Sequence, residues 1–335
     1  MTRRRQSIVL GLGAAGGMAG ISALRRLRAS KADAAFFAGK HVIVTGGSRG
    51  LGLVLTELML EAGAAVSLCG RSQHAIGCAL ERLERFAPAV HGSVCDVRER
   101  AQCERFIRNA QARFGPPAVL VNNAGIIEAG PFADQTIADF EAALETHFWA
   151  PLYTTLAVLP TMRARRGGHI VNVASIGGIV GVPHFAPYSA SKFAQVGLTQ
   201  ALAAELAADG IRMTSIVPGL MLTGSPDHPL FKRRQRAEYA WFPLSDANPL
   251  LAVSARSAAK RIMRATRRGE AQAVIGTTAQ IAKIVNALFP ETTAAALRLA
   301  AALLPSPGGV QWQSRTRVQS RSRWTRSTLT EGPPG

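Results

Sequence analysis

Short apolar runs rich in β-branched residues alternate with helical patterns through most of this 335-residue chain. Such runs are typical of buried parallel strands, and strict alternation with helices predicts a parallel sheet covered on both faces. We therefore expect a single doubly wound α/β domain over residues 39–280. The predicted strands cover residues 41–45, 65–69, 89–94, 118–122, 168–174, 211–217 and 273–275, and the predicted helices cover 51–62, 72–86, 99–114, 137–162, 188–208 and 254–267.

A glycine-rich turn follows the first predicted strand. Residues 45–52 read Thr-Gly-Gly-Ser-Arg-Gly-Leu-Gly and lead into a helical pattern. Strand, glycine turn and helix N-terminus together form an anion site, because backbone N–H groups and the helix dipole face a pyrophosphate that the glycines allow to approach. Residues 11–16 also match G-x-G-x-x-G in letters, but no second strand follows them before Asp33. The dinucleotide cradle is therefore predicted at residues 45–52.

A tyrosine and a lysine four residues apart come much later in the chain. Tyr188 and Lys192 share one face of a predicted helix. An ordinary tyrosine pKa of about 10 is too high for an efficient base at neutral pH, and a nearby ammonium is expected to lower it. Ser175 ends a predicted strand, and Gly177 and Gly178 offer it no helix to cap. With the cradle, this pair indicates a nicotinamide-dependent oxidoreductase.

Positive charge is concentrated at the two ends of the chain. The formal net charge is +18; residues 1–40 hold eight Lys and Arg and one Asp (+7), and residues 305–335 hold five Arg and one Glu (+4). This distribution favours attachment to a surface over a nucleic-acid groove, and no zinc-finger or RNA-binding motif is evident. We predict no nucleic-acid partner and no metal site. The cysteines, none in a Cys-x-x-Cys pair, fit a reduced cytosolic setting.

The N-terminal segment, residues 1–38, contains an uncharged stretch at residues 6–24 with basic flanks. About 20 residues suffice to cross a bilayer. Three alternatives stay open: a membrane anchor, a cleaved export signal and an unstructured tail. Export would separate an enzyme from its cytosolic cofactor. We therefore predict a location on the cytoplasmic side, with residues 6–24 as a membrane anchor.

Taken together, these motifs make the chain resemble the short-chain dehydrogenase/reductase family over residues 39–280. The resemblance implies a Rossmann fold and hydride transfer between a nicotinamide and a carbonyl or alcohol. In that family the matching tyrosine (Tyr188) moves the proton, the lysine (Lys192) also holds the nicotinamide ribose, and the serine (Ser175) bonds the substrate oxygen. Asn122 matches an asparagine that ties neighbouring strands together. Asp96 matches the residue that meets the adenine, although it could instead cap the next helix.

The same resemblance assigns the cofactor contacts. They start in the cradle, continue at the ends of later strands and end at Thr223, which fits the position that contacts the carboxamide. The implied cofactor-binding residues are Thr45, Gly46, Ser48, Arg49, Gly50, Leu51, Gly52, Arg71, Asp96, Val97, Asn123, Ala124, Gly125, Tyr188, Lys192, Pro218, Gly219 and Thr223.

One position departs from the family pattern. Where the family usually carries an asparagine that holds a relay water, this chain has His147. A neutral histidine can donate and accept hydrogen bonds, so His147 is a candidate catalytic residue that titrates near pH 6.5. The alternative is a histidine packed beside Phe148 and Trp149. Both interpretations stay open at this point.

The cofactor predicted from charge is NADP(H). NAD recognition usually needs an acidic side chain at the end of the second strand. This chain has Cys69-Gly70-Arg71 there, and Arg71 and Arg49 could both meet a 2′-phosphate.

The remaining segments bear on substrate and partners. Residues 220–250 hold aromatic and apolar side chains that favour a lipophilic small-molecule substrate, with loop packing as the alternative. Residues 281–304 form an apolar helical extension, suited to a membrane surface or a partner, and residues 305–335 form a basic tail that we expect to be disordered. The family resemblance also implies a homo-oligomer. A rival function is an NADP(H)-binding scaffold or redox sensor without turnover.

Overall fold

The central sheet is parallel throughout. The structure is a computed structural model, and it describes residues 31–222 and 252–304, with the strand segments Leu230–Phe231 and Arg315–Thr316. Within these residues a 7-stranded sheet has the order β7-β6-β5-β4-β1-β2-β3. Its strands are β1 (His41–Thr45), β2 (Ala65–Gly70), β3 (Val90–Val94), β4 (Val119–Asn122), β5 (Gly168–Val173), β6 (Ile211–Pro218) and β7 (Gln272–Ile275).

Helices connect the strands and cover both faces of the sheet, which confirms the predicted doubly wound α/β fold. On β1, Val44 packs in the same core cluster as Met59 and Ile262, whereas Ile43 packs with Ile107 and Met162 on the other face. The helices are α1 (Gly50–Glu61), α2 (Gln73–Arg82), α3 (Arg100–Phe114), α4 (Ile137–Leu144), α5 (Ala150–Ala164), α6 (Ala186–Glu205), α7 (Ala255–Arg268), α8 (Thr277–Leu288) and α9 (Pro290–Leu303).

The strand order reverses next to β1. Strand β1 pairs with β2 on one side and with β4 on the other, with Thr45 opposite both Cys69 and Asn122. The connections from these strands leave toward opposite faces, so a crevice opens at their carboxyl ends. A small cleft there is lined by residues that include Thr45, Val97, Asn122 and Ala124. This crevice is where the glycine-rich turn lies.

The long helix predicted over residues 137–162 is wrong in one respect. Helix α4 and helix α5 are separated by a π-helical turn at Glu145–Trp149, in which Ala150 N–H donates to the Glu145 carbonyl. Pro151 lies in the first turn of α5. Proline lacks an N–H, and its ring would clash with the carbonyl four residues earlier, so the wider turn accommodates it. The turn contains His147.

The packed part of the chain begins before residue 39. Residues 31–37 are helical, and Phe37 is fully buried in the core. Asp33 accepts a hydrogen bond of 2.6 Å from Arg267. Among the described residues, no helix is both long and apolar enough to cross a membrane. The predicted anchor at residues 6–24, Thr223, most of the 220–250 loop and most of the 305–335 tail lie outside the described residues.

Candidate active site

The turn after β1 leaves room for an anion only because its glycines lack side chains. Gly46 has φ of 64°, and a Cβ there would stand 2.9 Å from Ala124 Cα. A Cβ on Gly52 would stand 2.2 Å from the Gly46 carbonyl oxygen. Helix α1 begins here with no side-chain cap and no acidic residue in its first turn. Its first N–H groups therefore face the crevice without an acidic side chain of their own, as a phosphate site requires.

The end of β1 is tied to the loop after β4. Thr45 Oγ1 accepts hydrogen bonds of 3.1 Å from the backbone N–H groups of Asn123 and Ala124. Asn123 Nδ2 donates to the carbonyls of Thr45 and Gly46, also at 3.1 Å. These bonds fix the glycine turn against the neighbouring strand. Thr45, Gly46, Asn123 and Ala124, all predicted cofactor residues, are thus brought together.

Two arginines border the ends of β1 and β2. Burial and the neighbouring Arg71 guanidinium lower the pKa of Arg49. Ser48 Oγ lies beside Gly70 at the end of β2, where a Cβ on the glycine would stand 2.9 Å away. Two cations held close together favour an anion between them.

Asp96 and Val97 follow β3, as predicted, but the alternative in which Asp96 caps the next helix is wrong. Helix α3 begins after Glu99, and no side chain caps it. The Asp96 carboxylate instead accepts hydrogen bonds from Arg98, including one of 2.6 Å from Nη2, and this lowers its pKa. The Asp96 carboxylate pairs with the Arg98 guanidinium because a hydrogen bond between two charged groups is stronger than one to a neutral backbone N–H group at the start of the helix. Val97 is buried in the wall of the crevice.

Ser175 and Tyr188 meet across the crevice. Ser175 Oγ hydrogen-bonds the Tyr188 side chain, and the Tyr188 ring lies against Gly177. The expectation that Ser175 has no helix to cap is wrong, because residues Ile176–Gly178 form a short 3₁₀ turn and Ser175 Oγ accepts from Gly177 N–H at 3.1 Å. The Ser175 hydroxyl thus accepts from Gly177 and donates its own proton to the Tyr188 side chain.

The Lys192 amine is hydrogen-bonded to two oxygen atoms. Its side chain is buried, and Nζ donates to the Val173 carbonyl at 2.8 Å and to Gln195 Oε1 at 3.0 Å. Nζ lies 5.8 Å from the centroid of the Tyr188 ring. The two residues therefore share one helix face, as predicted.

The protonation of this pair differs from the expectation. Burial lowers the pKa of Lys192 to about 7, and burial raises the pKa of Tyr188 above its ordinary value. The hydrogen bond from Ser175 acts in the opposite direction on Tyr188. The predicted depression of the Tyr188 pKa is thus wrong for the protein alone, because desolvation disfavours both charged forms.

His147 is completely buried between the loop after β4 and α6. Its Nε2 accepts a hydrogen bond of 3.1 Å from Ile126 N–H, so the proton of the neutral ring lies on Nδ1. Nδ1 stands 2.8 Å from Ser191 Oγ, which itself donates to the Tyr188 carbonyl. Burial lowers the pKa of His147 well below its ordinary value, so the prediction that it titrates near pH 6.5 is wrong. These contacts favour the packed histidine over a holder of a relay water.

A buried chain of polar side chains lies beneath the site, and of its members only Asn122 was predicted, as a tie between neighbouring strands. Thr154 Oγ1 donates to Asn122 Oδ1 at 2.7 Å, and Asn122 Nδ2 donates to Asn172 Oδ1 at 2.9 Å. Asn172 Nδ2 donates to Thr199 Oγ1 at 2.8 Å, and Thr199 returns to the Gln195 carbonyl. For the other members, the sequence offered two signals: a polar residue, Asn172, within an apolar strand, and the spacing of residues 192, 195 and 199 on one helix face.

The remaining predicted residues divide into two groups. Gly125 lies against His147, and Gly50 and Leu51 begin α1. Pro218 ends β6, and Gly219 N–H donates to the Ile275 carbonyl at 2.9 Å. These residues lie at the carboxyl ends of the strands, whereas the place of Thr223 is outside the described residues.

The sequence also matches a known family. A family profile described as short chain dehydrogenase matches residues 40–228. The chain belongs to the short-chain dehydrogenase family. This family uses a nicotinamide cofactor, and its members are oxidoreductases. The uncapped start of α1 and its glycine turn fit the pyrophosphate of such a cofactor.

Relatives with known names are short-chain dehydrogenases of several kinds. The chain is 37% identical over 186 residues to the 3alpha-hydroxysteroid dehydrogenase of Mediterraneibacter gnavus, covering 55% of this chain and 74% of that protein. It is 34% identical to a ketoacyl reductase of Nostoc, covering 54% and 63%, and 35% identical to the 3-dehydrosphinganine reductase of Danio rerio, covering 54% and 56%. A short-chain dehydrogenase structure from Streptomyces avermitilis has a TM-score of 0.66 at 27% identity, covering 79% of this chain and 96% of that one.

Proposed function

We propose that this short-chain dehydrogenase is an NADP(H)-dependent carbonyl reductase or alcohol dehydrogenase with Tyr188 as its general acid and base. The observation that carries the proposal is the Tyr188 side chain hydrogen-bonded to Ser175, with the buried Lys192 amine one helical turn away. A phenol, a hydroxyl and an amine in this arrangement suit proton transfer to an oxygen atom. The group lies at the same sheet edge as the glycine cradle.

The roles of the residues follow from their surroundings. The bound nicotinamide supplies or accepts the hydride. Ser175 Oγ, which donates to Tyr188 in the protein alone, would turn its proton to the substrate oxygen and so place that oxygen beside the Tyr188 hydroxyl. Burial keeps Tyr188 protonated, which suits it to give its proton to a carbonyl oxygen during reduction. Lys192 is held toward the site by Val173 and Gln195 and is available to the nicotinamide ribose.

The preference for NADP(H) is inferred from Arg49 and Arg71. Both are exposed at the crevice, and the pKa of Arg49 is lowered first by partial burial and then by repulsion from Arg71. Neither forms an ion pair with a carboxylate among the residues that the structure describes. A 2′-phosphate between the two guanidiniums would relieve that repulsion.

We infer a lipophilic carbonyl or alcohol as the substrate. The named relatives include a hydroxysteroid dehydrogenase, a ketoacyl reductase and a 3-dehydrosphinganine reductase, whose names denote bulky or long-chain compounds. The aromatic composition of residues 220–250 agrees with this class.

The assembly and location are further proposals. Trp149, Leu156 and Phe193 are exposed apolar side chains near or on α5 and α6, and they suit a homo-oligomer formed through these helices. The cytoplasmic location with residues 6–24 as a membrane anchor rests on the sequence alone.

The test is NADPH oxidation with a panel of lipophilic ketones and aldehydes. Tyr188→Phe is expected to lower kcat by about 10²–10⁴, the usual contribution of a general acid. Tyr153→Phe is the matched control, because it removes the hydroxyl of a tyrosine on α5 that takes no part in the site. Turnover that survives in Tyr188→Phe would refute the assignment. A wild-type protein that binds NADPH and turns over no member of the panel would favour the rival scaffold or redox sensor.

A further inference from the structure

Helices α8 and α9 present an unusual outer surface. Six large apolar side chains on or between these two helices are more than half exposed. We call them the apolar face: Ile281 at 57%, Ile284 at 56%, Leu288 at 66%, Phe289 at 58%, Leu299 at 67% and Leu303 at 72% exposed.

Helix α8 packs on the domain through small and polar residues, among them the buried Ala279, and exposes its larger isoleucine and leucine side chains. Its inward side carries Lys283, whose Nζ donates to Gln272 Oε1, and Asn286, whose Nδ2 donates to the Ile179 carbonyl. Its outward side carries Ile281, Ile284 and Leu288, at the helical spacing of three and four residues. Helix α9 contains no buried residue. A surface helix normally directs its apolar stripe to the core. The exposed stripe of α8 therefore indicates a surface that binds an external partner.

The apolar face lies beside the active site. Asn286 holds the segment that directly follows the Ser175 turn. Ala279 packs against Gly219, the residue after β6, where a Cβ would stand 3.0 Å from Ala279 Cβ. The partner of this face would therefore border the substrate side of the protein, not its opposite edge.

The charge of the sequence after α9 favours a lipid surface over a second copy of the chain as the partner of the apolar face. Helix α9 ends at Leu303, and the sequence that follows is basic and contains Trp312 and Trp324, a residue type enriched at membrane interfaces. Two copies joined at this face would bring two such positive segments together, whereas an anionic membrane attracts them. The charges after residue 304 are Arg315, Arg317, Arg321, Arg323, Arg326 and Glu331.

We propose that the apolar face of α8 and α9 docks on the surface of an anionic membrane. The helices lie on the surface and do not span it, and the positive charge of the sequence after α9 favours anionic lipids. This deepens the proposed function, since a lipophilic substrate dissolved in that membrane would enter at the neighbouring site.

The experiment is flotation of the full chain with vesicles of phosphatidylcholine alone or of phosphatidylcholine with phosphatidylserine. The otherwise wild-type chain and every variant carry Leu12→Arg/Met18→Arg, so that the stretch at residues 6–24 cannot insert and hold the protein on the vesicles by itself. The double variant Ile284→Ser/Leu288→Ser is compared with Phe132→Ser/Ile137→Ser, which removes two still more exposed apolar side chains, 73% and 75%, from another part of the surface. The wild type and the control are expected to bind the anionic vesicles more tightly than the neutral ones. The α8 variant is expected to lose about tenfold or more in partition coefficient, because binding scales with buried apolar area.

Equal binding by the α8 variant and the control would overturn the proposal and leave another segment of the chain as the lipid contact. A change in oligomeric mass of the α8 variant in solution, with unchanged vesicle binding, would overturn it in favour of a second copy. NADPH binding by each variant verifies the fold. Because flotation needs no turnover, failure of lipid binding and failure of the proposed enzymatic function are separate results.

Discussion

The amine of Lys192 depends on two neighbours for its position. Val173 contributes a backbone carbonyl, which no substitution removes, and Gln195 contributes a side-chain oxygen. The other polar atom of that side chain, Gln195 Nε2, is buried and without a hydrogen-bond partner among the described residues. The Gln195 amide therefore buries an unpaired N–H group, which costs desolvation free energy, while its oxygen accepts a hydrogen bond from Lys192. Gln195 is therefore a positioning residue.

We predict that Gln195→Leu lowers kcat/KM by about tenfold or more, since a lost hydrogen bond to a charged group costs about 1.5–3 kcal/mol. The same change disfavours the protonated amine and should move the pH limb of Lys192 in the rate profile to lower pH. Gln195→Glu places a carboxylate beside the amine and should move that limb to higher pH. Steady-state rates across the pH range measure both. Limbs that move in the same direction would contradict this role.

A second prediction concerns Arg71. Arg71→Ser removes one of the two guanidiniums inferred to meet the 2′-phosphate, and we expect KM for NADPH to rise about tenfold, since charged hydrogen bonds of this kind contribute about 1.5–3 kcal/mol. KM for NADH should hardly change. Arg82→Ser, which removes an exposed arginine bound to Glu57, is the control. An equal rise for both cofactors would show that Arg71 does not select between them.

The sequence predicts the positions of residues that depend on local spacing. Tyr188 and Lys192 lie one turn apart, and Ser175 lies at a strand end, so a local pattern places all three. Gln195 and His147 could not be assigned in the same way. Their surroundings come from Val173, Ile126 and other segments distant in the chain, and burial then reverses the expected pKa shift of Tyr188.

At the level of secondary-structure elements, the start of α1 tolerates no side chain at Gly52. We predict that Gly52→Ala destabilises the protein by about 1–3 kcal/mol and weakens NADPH binding, because the new Cβ would overlap the Gly46 carbonyl, which is backbone and has little room to move.

The matched control is Gly77→Ala on α2. Nothing lies within 4 Å of a Cβ at Gly77, so this change should raise the free energy of unfolding by about 0.5–1 kcal/mol. Urea unfolding of the two variants measures the difference. Stabilisation of both variants to the same extent would mean that helix propensity, not the close approach at the cradle, decides the outcome.

The elements themselves were largely predictable, since the alternation of runs and helical patterns extends over many residues. The π-helical turn at Glu145–Trp149 was not, because the pattern of apolar residues in a helix does not record a single extra residue in one turn. Pro151 was visible as an irregularity, but its effect could have been a kink or a break.

For the whole molecule, the buried Lys192 couples folding to pH. Its pKa falls from 10.5 to about 7 on folding. Between these values the unfolded chain binds a proton that the folded chain lacks, so the contribution of Lys192 to stability rises with pH through this window and is constant below it. We predict that the stability of the wild type relative to Lys192→Met rises by about 1 kcal/mol or more from pH 7 to pH 10.

Urea unfolding at several pH values measures that difference. Lys260→Met, which removes an exposed lysine on α7, is the control and should show no such trend relative to the wild type. A flat difference for Lys192→Met would mean that the amine stays protonated in the folded protein through this range.

The chain directly after β6 is hydrogen-bonded to the chain directly before α7. Met221 and Leu222 pair with Val253 and Ser254, and Val253 N–H donates to the Leu220 carbonyl at 2.9 Å. The two ends of the intervening segment are thus paired with each other. The free energy of closing this segment changes only slowly with its length. We therefore expect that exchange of residues 224–251 alters which molecules are accepted and leaves the reaction centre unchanged, so that substrate choice can evolve as a separate cassette.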